Sequence, residues 1–329
     1  MIRATVFFKS KAGVGQCHGS HRRKVFKRRG IRGFVCNALI ILAVLFCRDI
    51  AVAADIIAVQ SINIKPYNDA LHGFKEACNC NVKQFFVSDR RGEDIVRAVR
   101  KTHPAVILAI GIDALNRVRS IRDVPIVYFM ILNSPAAVPD DNITGVSLYI
   151  NPEKQLSLLR KALPDVNRIG LLYDPARTGD FVRRVRAAAE KAGTVLIARE
   201  IHSPKDVPVQ LQGLKGKIDA FWMLPDITVV TPDTIELLFL FSFENRIPVI
   251  TFSDKYLEMG ALISFDIDAA DIGMQAWEIT ERILSGTDIR KIKEVDARKA
   301  IVTINRKTAK KLGVTVSGRF LNKAGPVER

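Results

Sequence analysis

The chain has 329 residues, 48% of them hydrophobic and 26% charged. That composition supplies a sizeable core and excludes global disorder. The formal net charge of +16 suggests a nucleic-acid partner, but residues 1–54 hold eleven Lys and Arg against the one acid Asp49, leaving 39 basic and 33 acidic residues in the rest. That remainder is an ordinary solvated surface with no dense basic stripe interleaved with aromatics, so no nucleic acid is expected as a partner.

Residues 1–54 read as an export signal. Basic residues between Arg22 and Arg32 precede an apolar run at 34–46, shorter than the ~20 residues of a membrane-spanning helix. The small residues Ala51-Val-Ala-Ala54 place a cleavage site at Asp55. An uncleaved anchor is the alternative at this length. The mature chain is therefore expected in the periplasm. It retains Cys78 and Cys80 of the five cysteines. Cys-Asn-Cys can close a small-ring disulfide or bind a soft metal. With no further Cys or nearby His to complete a ligand set, the pair reads as two inert thiols at a helix end, and neither metal nor cofactor is expected.

From Asp55 the chain alternates strand-like and helix-like segments in two runs. The first has strands at 55–60, 82–87, 105–110 and 125–130. Helices lie between them at 67–77, 92–101 and 113–120. Residues 105–110 are apolar throughout, as parallel strands covered on both faces tend to be. After the polar, Pro-rich break at 135–144 the pattern restarts. A helix at 152–163 leads to strands at 168–173, 194–198, 218–224 and 247–251. Helices follow at 178–192, at 204–214 (interrupted by Pro208) and at 232–245. The spacing of the two runs is nearly the same, which implies an α/β fold of two Rossmann-like lobes with parallel sheets. The stretch Asn142-Ile-Thr-Gly-Val-Ser147 then reads as the first hinge strand. Later segments, a strand at 260–265, a helix at 268–284 and a strand at 301–305, carry the chain back and forth, and 260–265 and 297–301 read as companion hinge strands. The expected partition is 55–143 plus 266–298 for lobe 1 and 144–265 plus 299–317 for lobe 2, with a flexible tail at 318–329. Closure of the lobes on a ligand is the natural motion of such a molecule.

In open parallel sheets, ligands bind beyond the carboxyl ends of the strands. The loops there carry polar groups, carboxylates and aromatics but no catalytic set. There is no Gly-x-Ser-x-Gly elbow, no phosphate loop and no Gly-x-Gly-x-x-Gly after the first strand. His72, His103 and His202 are not placed like general bases. Asp174 and Asp226 form a candidate acid–base pair, but with no nucleophile beside them binding is the better reading. Asp268 reads as a helix N-cap, with Asp271 in the first turn, rather than as a metal ligand.

Several stretches, in order, resemble one family: Leu108-Ala-Ile-Gly111, Pro125-Ile-Val127, Asn142-Ile-Thr-Gly-Val-Ser147, Arg168-Ile-Gly-Leu-Leu-Tyr173, Ile247-Pro-Val249 and Thr308-Ala-Lys-Lys-Leu-Gly313. From about Asp55 to Val316 the chain resembles the ABC-transporter substrate-binding proteins of the tryptophan and tyrosine type. The resemblance implies the type I periplasmic-binding-protein fold. It also implies a non-enzymatic, monomeric solute-binding protein that captures a small molecule, an amino acid or a related compound. That protein would deliver its solute to an ABC permease in the inner membrane. A sensory module signalling to a membrane kinase or cyclase is the alternative. The expected ligand contacts are Ser61, Gly111 and Asn133 from the first lobe, and Tyr173, Asp174, Arg177, Thr178, Asp226 and Phe252 from the second. Asn133 stands where relatives carry an acid, and Arg177 is an unusual cation for its loop, suited to a carboxylate.

Overall fold

A computed structural model describes residues 2–6, 55–88, 92–132 and 141–318. Two sheets organise them. The first has six strands, all parallel, in the order β12-β6-β5-β4-β2-β3. They are β2 (Ile56–Gln60), β3 (Val82–Phe86), β4 (Val106–Ile110), β5 (Ile126–Ile131), β6 (Ile143–Ile150) and β12 (Val295–Ala297). Every residue of β2, β4 and β5 is buried, as the unbroken apolar runs require when helices cover both faces.

On one face lie α1 (Lys65–Cys78) and α9 (Ala269–Leu284); on the other lie α2 (Gly92–Arg100) and α3 (Ile112–Val118). Helices α1 and α9 approach backbone to backbone. A Cβ added at Gly273 would stand 1.8 Å from the Ala70 carbonyl oxygen, and one at Gly73 would stand 2.1 Å from that of Ala270. Only glycine admits such contact. Phe74 fills the space beside it, parallel to Phe129 at 6.5 Å and edge-on to Trp277 at 5.7 Å.

The second sheet has the order β1-β13-β11-β10-β9-β7-β8. Its strands are β7 (Arg168–Tyr173), β8 (Val195–Glu200), β9 (Ala220–Trp222), β10 (Val249–Thr251), β11 (Ile263–Ile267) and β13 (Ala300–Ile304). All pairs are parallel except at one end, where β13 runs antiparallel to β11. Strand β1 (Ile2–Val6) continues that edge, antiparallel to β13. A strand here is not among the expected elements, and the rest of the expected leader, residues 7–54, lies outside the described residues. Helices α4 (Pro152–Ala162), α5 (Pro175–Lys191), α6 (Val207–Gln212), α7 (Pro232–Asn245), α8 (Lys255–Met259) and α10 (Arg306–Leu312) complete the lobe.

Three differences from the sequence reading have local causes. First, residues 144–150 do not open the second lobe. They run parallel beside β5 in the first sheet, held there by Asn142, whose Nδ2 donates to the Ile121 and Val124 carbonyls at 2.8 Å, and by Thr144, whose hydroxyl donates to the Ile292 carbonyl at 2.8 Å. The chain leaves for the second lobe only at α4, which packs on α5. Second, α5 begins at Pro175, three residues early, because the Asp174 carboxylate caps it and Pro suits its first turn. Third, Cys78 and Cys80 are joined in a disulfide, with Cα atoms 5.1 Å apart. Asn79 between them holds left-handed backbone, φ 48° and ψ 39°, which turns the chain back on itself, so the two thiols are not inert. Asp268 does cap α9, accepting from the Asp271 N–H at 3.1 Å.

Two further passages lie side by side. The chain passes from β11 to α9 at Asp268, and from β12 to β13 through Arg298 and Lys299. Lys299 pairs with Asp268, while Arg298 clasps Asp271 (Nε to Oδ2, 3.0 Å) and Glu278 (Nη1 to Oε1, 2.6 Å).

Candidate functional site

The carboxyl ends of strands from both sheets face a cleft beside the end of β6. A cavity of about 270 Å³ lies there. Leu148, Tyr149 and Ile150 at the end of β6 form one side, and Trp222 and Leu224 at the end of β9 the other, with Phe181 of α5 between them. Phe252 after β10, Phe265 and Ile267 on β11, and Leu132 after β5 close it. Tyr149 and Phe181 stack at 4.2 Å and 12°, and Phe181 meets Trp222 edge-on at 6.4 Å. The lining is thus mostly aromatic and aliphatic, the usual character of a small-molecule site. Burial raises the Tyr149 hydroxyl well above its ordinary pKa, with Asp226 adding to the effect and Arg184 opposing it. The ring therefore serves as a neutral wall with a polar tip.

The expected contacts divide into three groups. Phe252 lines the cavity. Ser61 and Gly111 meet across the ends of β2 and β4. Gly111 has φ +87°, and a Cβ there would stand 2.6 Å from Ser61 Oγ and 2.8 Å from the Tyr67 hydroxyl. Ser61 Oγ in turn accepts from the Ala114 N–H at 2.9 Å. Burial, then the charge of Asp113, raises the pKa of Tyr67.

The third group, in the second lobe, is turned on itself. Asp226 is 1% exposed. Its Oδ2 accepts from the Asp174 N–H at 2.8 Å and the Thr178 hydroxyl at 2.6 Å, and its Oδ1 from the Thr228 N–H at 3.0 Å. Asp174 accepts from the Thr228 hydroxyl at 2.7 Å and from the Ala176 N–H at 2.9 Å. These bonds, Thr228 first, hold the Asp174 carboxyl below its ordinary range. The knot ties the loop after β9 to the start of α5. An acid–base pair needs a carboxylate free to exchange protons with a substrate, and here both are occupied by backbone and hydroxyl donors. Tyr173 points its hydroxyl at Glu200 Oε1, 2.9 Å away on β8. Arg177 is half exposed, 3.9 Å from Asp174. Asn133 lies outside the described residues. Among the described residues no cluster of three or more His, Cys, Asp or Glu is placed to hold a metal ion.

The aromatic cavity residues that sequence reading missed are Tyr149, Phe181, Trp222 and Phe265. Trp222 and Phe265 sit in strands that read simply as core. Phe181 is one apolar position on an amphipathic helix. Tyr149 lies just past the stretch read as a hinge.

Within residues 55–318 two α/β lobes are joined by three passages, with an aromatic cavity at the facing strand ends, the architecture of a two-lobed binding protein. The family model described as ABC transporter substrate binding protein matches residues 70–328, and the chain belongs to that family, whose members bind rather than convert their substrates. It is 24% identical over 236 residues to the tyrosine-binding protein of Clostridioides difficile, a match spanning 69% of this chain and 64% of that relative. The fold is shared with the ligand-free, open structure of a substrate-binding protein with adhesive properties from Clostridium difficile (TM-score 0.64, 21% identity, 80% of this chain and 95% of that one). It is shared also with an ABC domain from Streptococcus pneumoniae in complex with L-Trp (TM-score 0.58, 22% identity, 83% and 98%).

Proposed function

We propose that the protein is exported, acts as a monomer, and captures an aromatic amino acid or a close relative of one in the cavity beside β6 for delivery to an ABC permease. The observation that carries this reading is the stacked Tyr149–Phe181 pair with Trp222 edge-on beside it, in a cavity of about 270 Å³. Flat apolar walls at these spacings suit a planar ring. The tyrosine-binding relative and the L-Trp complex support the same ligand class. In this reading Ser61, Tyr67 and Gly111, together at strand ends of the first lobe, supply its polar contacts, and the half-exposed Arg177 supplies the cation for a carboxylate.

The test is thermal unfolding of the purified protein against aromatic and aliphatic amino acids, organic acids and sugars. A ligand at a hundredfold excess over its Kd adds about 2.7 kcal/mol, which is readily seen as a rise in Tm. Aromatic amino acids are expected to raise Tm, and Phe252→Ala, a half-buried position at the rim, to shrink that rise. A shift with sugars or aliphatic acids alone would remove the aromatic reading.

A further inference from the structure

The fold assembles a second concave site that shares no lining residue with the cleft. Helices α2 and α3 lie side by side on the first sheet, and their C-terminal turns border an open groove of about 760 Å³. Arg97, Arg100 and Lys101 enter it from the end of α2, and Arg117 from the end of α3. His103 reaches its rim from left-handed backbone, φ +46°. Asn116 and Ser120 complete the donors, and no carboxylate lines it.

Part of this charge has a structural use. Cations are favoured at helix C-termini, each of which carries roughly half a negative charge. Two such ends offset about one of the four full positive charges. Asp123, 3.3 Å from Arg100, offsets another. About two charges remain after these offsets, and none of Arg97, Lys101 and Arg117 forms an ion pair with a carboxylate among the described side chains. An excess of guanidinium and ammonium donors, hydroxyl and amide donors beside them, and a half-buried Val96 in the same groove match one ligand chemistry. Arginine forks pair bidentately with phosphate oxygens, and lysine adds a point charge.

We propose that this groove is a binding site for a phosphate-bearing polyanion, separate from the solute cleft. The chemistry is shared by a soluble phosphate ester and a lipid phosphate headgroup. The site lies beyond the opposite strand ends from the cleft, because α2 and α3 end where the chain turns back toward the starts of β4 and β5. Occupancy of one site therefore leaves the other accessible.

Calorimetric titration of the full-length protein tests this with two probes, inorganic tripolyphosphate and dihexanoylphosphatidic acid below its micelle concentration. Binding of at least one is expected, weakening as salt rises. Arg97→Gln/Arg117→Gln, at two exposed positions, is expected to lower the affinity at least tenfold while leaving the thermal shift by the cleft ligand unchanged. Lys307→Gln/Lys310→Gln removes the same charge from α10 and is expected to bind like the wild type. Tripolyphosphate alone binding identifies a soluble ester, and the lipid binding as well identifies a headgroup. Failure of both probes, or equal losses in the two double variants, overturns the site.

Discussion

Arg184 on α5 forms an ion pair with Asp296 on β12, so one contact joins the second lobe to the first. The same Arg184 lies over the Phe181 ring, 5.8 Å from its centroid. The cavity wall and the joint between the lobes therefore share a residue. Burial raises the pKa of the Asp296 carboxyl, and Arg184 opposes that only in part, while Glu294 adds to it. A carboxyl raised in the folded state binds a proton more readily there than in the unfolded chain. Its contribution to stability therefore grows as pH falls through the folded pKa toward the ordinary carboxylate value. Asp296→Asn cannot titrate. Urea unfolding is expected to show the wild type gaining on this variant between pH 7 and pH 4. A constant difference over that range would contradict the assignment.

Asp226 holds three donors in a place with almost no access to water. Asp226→Asn keeps the size but turns one acceptor into a donor facing donors. A loss of about 1–3 kcal/mol is expected from the unsatisfied groups. Ligand affinity, measured on the fraction still folded, is expected to change little, because the carboxylate faces the protein rather than the cavity. A large affinity loss without a stability loss would restore Asp226 as a ligand contact.

Phe181→Leu keeps an apolar, smaller side chain but removes the ring between Tyr149 and Trp222. Aromatic pairs contribute about 0.5–1.5 kcal/mol beyond area burial. Affinity for an aromatic ligand is expected to fall by roughly twofold to thirteenfold, converted from that range. Affinity for an aliphatic competitor is expected to stay level. Titration calorimetry with both ligands reads the ratio directly.

Gly273→Ala sets a methyl group against the Ala70 carbonyl at a separation no carbon tolerates. Helices α1 and α9 must part, at an expected cost of about 1–3 kcal/mol. Gly286→Ala, where the backbone has φ +90° but no neighbour within 4 Å, is a control for strain without crowding. Thermal unfolding of both is expected to place Gly273→Ala lower.

The disulfide between Cys78 and Cys80 encloses a single residue. A loop that short restrains little of the unfolded chain, so Cys78→Ala/Cys80→Ala is expected to cost only about 1–2 kcal/mol. Mass spectrometry after alkylation without reductant is expected to find both sulfurs blocked.

The strand rhythm from Asp55 to Thr251 was legible because both sheets are made mainly of parallel strands covered on both faces, and such strands write unbroken apolar runs. Sheet membership was not. Nothing in Ile143–Ile150 states that it pairs with β5, because the partner is chosen by contacts far along the chain, such as Thr144 with Ile292. The knot at Asp174 and Asp226 was half legible. Their position after β7 and β9 was right, but whether a carboxylate there faces a ligand or the backbone depends on Thr178 and Thr228, which sequence spacing does not orient. The aromatic cavity was least legible, since Trp222 and Phe265 look like any buried strand residue until the opposite lobe is in place. The basic groove escaped for a related reason. Its cations come from two helices some twenty residues apart, so no single stretch looks dense in charge.

The second and third passages between the lobes are bound to each other by Lys299 with Asp268 and by Arg298 with Asp271 and Glu278. Each sheet draws its strands from both sides of these passages, so neither lobe corresponds to an uninterrupted length of chain. A protease that nicked one of these passages would leave the halves attached through the others. Nor can either half be obtained by simple truncation, since any cut that removes one lobe also takes a strand or helix from its neighbour.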